Sequence, residues 1–302
     1  MPKRKRNTPR AVLALAFALL LVGCGPAPGT EGETSAAKET TASAAEAAFA
    51  GTAYSREMDG TIVNWRDVGC SFSLDAEGNV LLSYEDGKVT GKAPAALRTS
   101  ERAAASGVFI SDEKTAVAAC GEDGSISVLV SDDRGVTWNK TALPADEPEP
   151  SWSCVGFSSA ANGWLVVCRF VGMGQERHDI YRSADGGKSW EAVPSDLDDV
   201  YGRMLSGAGF SDDGAGFLCF RYETDFQPAV CATGDGGKTW RKRTIGMPER
   251  YGAYSKTPLS PVFDGKNVVL PVLLDNGQGK TETVYLTSAD EGLTWQCRTS
   301  LP

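Results

Sequence analysis

Ser183-Ala-Asp-Gly-Gly-Lys-Ser-Trp190 is one of four copies of a single phrase in this chain. The others are SDDRGVTW (131–138), TGDGGKTW (233–240) and SADEGLTW (288–295), and all fit Ser/Thr-x-Asp-x-Gly-x-Thr/Ser-Trp. The fixed acids are Asp133, Asp185, Asp235 and Asp290, spaced by 52, 50 and 55 residues. A recurrence of that period marks a repeat architecture with one supersecondary unit per copy. Each copy follows an alternating apolar run (SISVLV, HDIYR, PAVCAT, TETVYLT) and so reads as the tight turn of a β-hairpin. The carboxylate can accept from turn amides. Gly135, Gly187, Gly237 and Gly292 supply a positive φ that side chains resist. Trp138, Trp190, Trp240 and Trp295 begin the outgoing strand, each with area enough to seal against a neighbouring sheet. On this reading the acids are turn staples and not catalysts.

Working outward, a second landmark precedes each phrase: Phe109-Ile-Ser-Asp, Phe157-Ser-Ser, Phe210-Ser-Asp-Asp and Phe263-Asp-Gly, which lie 29, 33, 30 and 32 residues before the Trp. Each unit reads as four short strands. In the third these are SCVGFS, NGWLVVCRF, HDIYRS and SWEAVP. Four-stranded sheets repeated radially are the β-propeller pattern. The phrases resemble the Asp-box (BNR) repeat of sialidases, sortilin-type receptors, some glucanases and the photosystem II stability-factor propellers. GFSSAANGWLVV and GAGFSDDGAGFLCF look most like the last of these. The expected fold is all-β: a propeller of about five four-stranded blades with Asp-box turns, or six if residues 52–66 pair elsewhere. The first unit, Val68 to Gly91, has strand-like alternation without the phrase, as terminal repeats often do.

Residues 1–23 read as a lipoprotein signal peptide. Lys3, Arg4, Lys5, Arg6 and Arg10 precede the apolar stretch Ala11–Val22, which ends in Leu21-Val-Gly-Cys24. The order resembles a lipobox, in which Cys24 is acylated and becomes the mature N-terminus; acyl chains then give the membrane contact. Residues 24–50, rich in Ala, Thr, Glu and Ser, read as the lipidated Cys and a flexible tether. Residues 51–302 are the propeller domain. The expected location is the extracytoplasmic face of a bacterial cell membrane. Losing the five signal-peptide cations moves the formal charge from −9 to −14, which speaks against a nucleic-acid partner. With Cys24 lipidated, seven cysteines remain. Cys154 with Cys168, and Cys219 with Cys231, are placed to bridge across hairpins in an oxidising compartment; otherwise all seven are small buried hydrophobes.

Antiparallel order puts the strand-one-to-two turns on the same rim as the Asp boxes. The other rim varies in length and composition, as binding loops do. The candidate ligand residues there are Arg177, His178, Tyr201, Arg203, Asp225, Phe226, Arg250 and Tyr251. The opposing reading is that these loops are merely polar and their tyrosines pack on their own blades. Resemblance to sialidases implies an Arg triad, a Tyr nucleophile backed by Glu, and an Asp acid/base. No R-I-P phrase carries the first Arg, Arg66 has the wrong neighbours, and Tyr222-Glu223 are adjacent where the family's pair is distant. His178 is the sole histidine, and no G-x-S-x-G occurs. No catalytic residue, metal ligand or cofactor is assigned. The expectation is a lipoprotein that binds a protein, peptide or glycan partner; the alternative is an exo-sialidase-like or other glycoside hydrolase.

Overall fold

The computed structural model of the protein describes residues 54–56, 62–64, 69–97, 107–121, 123–221 and 227–301. The expectations for the signal peptide, Cys24 and the tether lie outside these residues, as do Asp225 and Phe226. The described residues are almost entirely β, and every pairing between neighbouring strands is antiparallel.

Among the described residues the strands form five successive sheets. The first holds β1 (Tyr54–Arg56), β2 (Ile62–Asn64), β3 (Ser71–Leu74), β4 (Asn79–Tyr84) and β5 (Val89–Ala96). The second holds β6 (Val108–Ile110), β7 (Thr115–Cys120), β8 (Ile126–Ser131) and β9 (Asn139–Leu143). The third holds β10 (Pro150–Phe157), β11 (Gly163–Gly172), β12 (Gln175–Ser183) and β13 (Glu191–Val193). The fourth holds β14 (Leu205–Phe210), β15 (Gly216–Phe220), β16 (Ala229–Thr233) and β17 (Arg241–Arg243). In the fifth, β18 (Ser255–Pro258) and β19 (Val262–Asp264) both pair β20 (Asn267–Asp275), followed by β21 (Thr281–Ser288) and β22 (Gln296–Arg298). Strands within residues 52–66 therefore join the first sheet and do not build one of their own. Repeated four-stranded meanders in chain order match a β-propeller.

The core is divided among the gaps between consecutive sheets. Phe72, Leu82 and Tyr84 meet Val117 and Leu129 between the first two. Ala116, Val128 and Val130 meet Val155, Leu165 and Trp190 between the second and third. Cys154, Trp164 and Val166 meet Phe210, Leu218 and Trp240 between the third and fourth. Phe217, Val230 and Ala232 meet Leu270, Val272 and Leu286 between the fourth and fifth. The turn tryptophan of each later sheet packs into the gap that it shares with the preceding one; Trp138 and Trp295 are partly buried there. Removing a ring packed as Trp190 and Trp240 are costs about 3–5 kcal/mol.

Two kinds of polar contact also join the first sheet to the second. Tyr84 and Thr115 share a 2.6 Å hydroxyl hydrogen bond, and Arg134 pairs with Glu85. The link between β13 and β14, read in the sequence as a loop, contains a five-residue helix, α1 (Leu197–Tyr201). Its N-cap residue, Asp196, does not cap it. The carboxylate instead accepts from Trp240 N at 2.8 Å, and Trp240 Nε1 donates to Ser195 Oγ at 3.0 Å, so this link holds the third sheet against the fourth.

Candidate functional site

The four Asp phrases close the last hairpin of each of the later four sheets. In the fourth sheet, Asp235 Oδ1 accepts from Thr239 N at 2.9 Å and from Thr233 Oγ1 at 2.8 Å. Its Oδ2 accepts from Thr239 Oγ1 at 2.7 Å, and Gly237 N donates to Thr233 Oγ1 at 3.1 Å. Bonds of the same kind recur around Asp133, Asp185 and Asp290. The amide bond from Thr239 and the hydroxyl bonds hold the Asp235 carboxyl down at about 2, and the Thr294 hydroxyl and amide hold Asp290 at about 2. Residues 134, 186, 236 and 291 and the glycine after each have positive φ, so the turn uses two successive left-handed residues. The turns are tied to the strand-one-to-two turns of their own sheets: Gly186 N donates to Ala161 O, Gly236 N to Gly214 O and Glu291 N to Lys266 O, at 2.8–2.9 Å.

That rim carries a cavity of about 490 Å³, within the range of ligand sites. All four landmark phenylalanines, Phe109, Phe157, Phe210 and Phe263, line it. Its lip is acidic, with Glu113, Asp212, Asp213 and Asp264. Asp212 Oδ1 accepts from Ser158 Oγ at 2.5 Å and from Asn162 Nδ2 at 3.1 Å. The Ser158 hydroxyl, outweighing the effect of desolvation, lowers the Asp212 carboxyl below its usual range. Lys114, the lining cation, is buried; its Nζ pairs with Asp132, donates to Gly186 O at 3.2 Å and lies over the Phe157 ring. The wall is close-packed main chain along β14. A Cβ on Gly207 would stand 2.3 Å from Ser260 N, and one on Gly209 2.4 Å from Pro261 O. An aromatic floor with a fixed carboxylate at the mouth suits the recognition of a cation. A carboxyl lowered in this way is a poor proton donor, since general acid catalysis by a carboxyl needs its pKa raised.

The described candidate residues of the other rim fall in two places: His178 and Tyr201 both pack on Phe220 with Arg177 and Arg203 nearby, and Arg250 with Tyr251 precedes the fifth sheet. Arg177 is half-buried and spent on Asp179 (3.1 Å), Asp146 Oδ2 (2.7 Å) and Glu147 O (2.7 Å). His178 is buried, with Nδ1 at 2.7 Å from Asp198 Oδ1. Tyr201 stands edge-on to Phe220 with Lys242 over its ring. Arg203 is exposed beside Gln175, its partner in an isolated bridge. Arg250 is exposed and lies over Tyr251, which is buried in the core between the last two sheets. Of the described members of the set, His178 and Tyr251 are interior residues, because a long hairpin and a short 3-10 turn fold them inward. The phenylalanines of the opposite rim recur in register in the sequence as a repeat landmark, but their spacing does not show that they meet in one cavity.

None of the seven described cysteines is disulfide-bonded. The register explains why: Cys154 stands opposite Val166 and Cys168 opposite Trp152, while Cys219 faces Val230 and Cys231 faces Leu218. Cys154 and Cys168 are thus a diagonal pair, two residues out of register, whereas Cys219 and Cys231 are one residue out of register and point to opposite faces of their sheet.

No protein-family model matches the chain, and no curated protein does. Similar solved structures include the GH74 enzyme of Niastella koreensis, 16% identical with a TM-score of 0.48, covering 77% of this chain and 36% of that one. YCF48 from Cyanidioschyzon merolae is 14% identical with a TM-score of 0.38, covering 78% of this chain and 84% of that one. The endo-arabinase from Bacteroides thetaiotaomicron VPI-5482 is 12% identical with a TM-score of 0.41, covering 64% and 79%. The chain spans about a third of the length of the GH74 enzymes it is similar to. The likeness is one of strands and sheets, and the propeller assignment rests on this chain's own repeated meanders.

Proposed function

We propose that this protein is a membrane-anchored extracytoplasmic lipoprotein whose five-bladed Asp-box propeller binds a partner without transforming it. The partner is a basic segment of a protein or peptide, and the phenylalanine-lined cavity receives it. The observation that carries this reading is the combination in one 490 Å³ cavity of four phenylalanines with Glu113, Asp212, Asp213 and Asp264. A Lys or Arg side chain entering there meets apolar surface along its stem and carboxylates at its head. The negative charge of the chain favours the same partner at long range. Asp212, held as a carboxylate, supports binding over catalysis.

The test is titration of the full chain with a short Lys/Arg-rich peptide and with its Asp/Glu counterpart. The basic peptide should bind and the acidic one should not, with affinity falling as salt rises. Asp212→Asn with Asp264→Asn should weaken binding about tenfold or more, each charge-assisted contact being worth about 1.5–3 kcal/mol. Arg203→Ala, on the opposite rim, should leave binding unchanged. Indifference to the double substitution would remove the cavity from the account. Turnover of a sialoside or glucan that disappears with the same substitutions would replace binding by glycoside hydrolysis.

A further inference from the structure

We propose that Cys168, Glu176 and His178 form a buried transition-metal site, filled by zinc, remote in kind from the cavity and independent of its function. One hairpin builds it. Cys168 on β11 stands directly opposite His178 on β12, and Glu176 precedes His178 by two residues. Alternation along a strand puts residues 176 and 178 on the same face, and the cross-strand pair adds the thiol to it. One ligand atom from each of the three lies within 4.8 Å of the others, and all three residues are buried.

An independent observation points to a ligand. The side chain of His178 is wholly buried, and its Nε2 has no hydrogen-bond partner. Nε2 lies 3.6 Å from Glu176 Oε2, too far for a hydrogen bond. It is the spacing of two ligands on one metal: bonds of about 2.0–2.3 Å in a tetrahedron separate neighbouring ligands by roughly 3.3–3.7 Å. The Cys168 Sγ stands within 4.8 Å of the ligand atoms of both Glu176 and His178.

The surroundings hold each ligand in position. Asp198 Oδ1 lies 2.7 Å from His178 Nδ1, and Asp198 Oδ2 accepts from His178 N at 3.2 Å. A proton on Nδ1 directed at Asp198 leaves the lone pair on Nε2, as in carboxylate–histidine–zinc triads. Glu176 Oε1 accepts from Trp152 Nε1 at 3.1 Å and Oε2 from Leu205 N at 2.9 Å, which fixes the carboxylate with lone pairs to spare. Phe220 closes the site edge-on to the imidazole. One sulfur, one nitrogen and one oxygen ligand suit zinc and exclude calcium and magnesium, which take oxygen. On binding, the Cys168 S–H bond breaks, its proton leaves to solvent, and the sulfur lone pair forms the metal bond. So enclosed a site takes up its metal as the third and fourth sheets close, and gives it up slowly.

The full chain, unfolded, stripped with a chelator and refolded with Zn²⁺ or with Co²⁺ as the spectroscopic probe, should retain one metal ion per chain through gel filtration. The cobalt form should show a thiolate-to-metal charge-transfer band, absent in Cys168→Ser. Asp198→Ala, a positioning change, should keep the band and weaken affinity about 10–100-fold. If Cys168→Ser fails to fold, protection of the Cys168 thiol from alkylation by bound zinc decides instead. Three results would each overturn the proposal: no retained metal in the unaltered chain, a cobalt spectrum without the thiolate band, or a Cys154–Cys168 disulfide in protein isolated without reductant. The first would leave His178 as a charged imidazolium between Asp198 and Glu176.

Discussion

Asp235 sits in water and still has its carboxyl drawn down to about 2 from an ordinary 3.8, because Thr239 and Thr233 donate to the charged form. The sign of its effect on stability follows. The folded pKa lies below the unfolded one, so the carboxylate stabilises the fold above pH 4 or so, and that contribution is lost as pH falls through about 2. Thermal melts of the unaltered chain and of Asp235→Asn should therefore differ most near neutrality and converge between about pH 4 and 2. A constant difference over that range would mean that the turn depends on shape alone. At this scale the sequence was readable. All the donors to Asp235 come from the same eight-residue phrase, so spacing alone reported the chemistry. The surroundings of His178 were not readable, because Asp198 approaches it from another element and Cys168 meets it only through the hairpin register.

An element-scale comparison separates backbone conformation from packing in the turns. Gly236 and Gly292 both have positive φ, at 76° and 84°. A Cβ on Gly236 would meet no atom within 4 Å, whereas one on Gly292 would stand 2.3 Å from Phe217 Cζ on the preceding sheet. Gly236→Ala should cost about 1–2 kcal/mol, the price of a left-handed alanine. Gly292→Ala should cost about 1–3 kcal/mol more, as overpacking does. Urea unfolding of the two variants measures the difference; equal losses would show that Phe217 turns aside freely. Among the elements, the long strands were legible through alternation. Helix α1 was not: five residues hold too little periodicity to announce themselves, and its start at Asp196 is fixed by Trp240, forty-four residues later.

For the whole molecule, the repeat was legible from four phrases and four phenylalanines, whereas the cavity was not. Its lining comes from the inner strands of four sheets, spread from Phe109 to Gly265, and no local pattern reports that these meet. Variation in loop length and composition points to the other rim, and neither measures whether side chains converge. The lipid-anchor proposal belongs to this scale as well. Cys24→Ala should move the protein out of the membrane fraction or leave the precursor uncleaved, and mass spectrometry of the unaltered protein should find a diacylglyceryl group on Cys24. A variant that matures and stays on the membrane would contradict it. Finally, Gly209, which lines the cavity, brings β14 so close to Pro261 that a Cβ there would stand 2.4 Å from its carbonyl oxygen. Adaptation to a new partner is thereby channelled. Mutation of that glycine cannot add new chemistry, whereas substitution of Glu113, Asp212, Asp213 or Asp264 changes the lining and leaves the main-chain contact untouched.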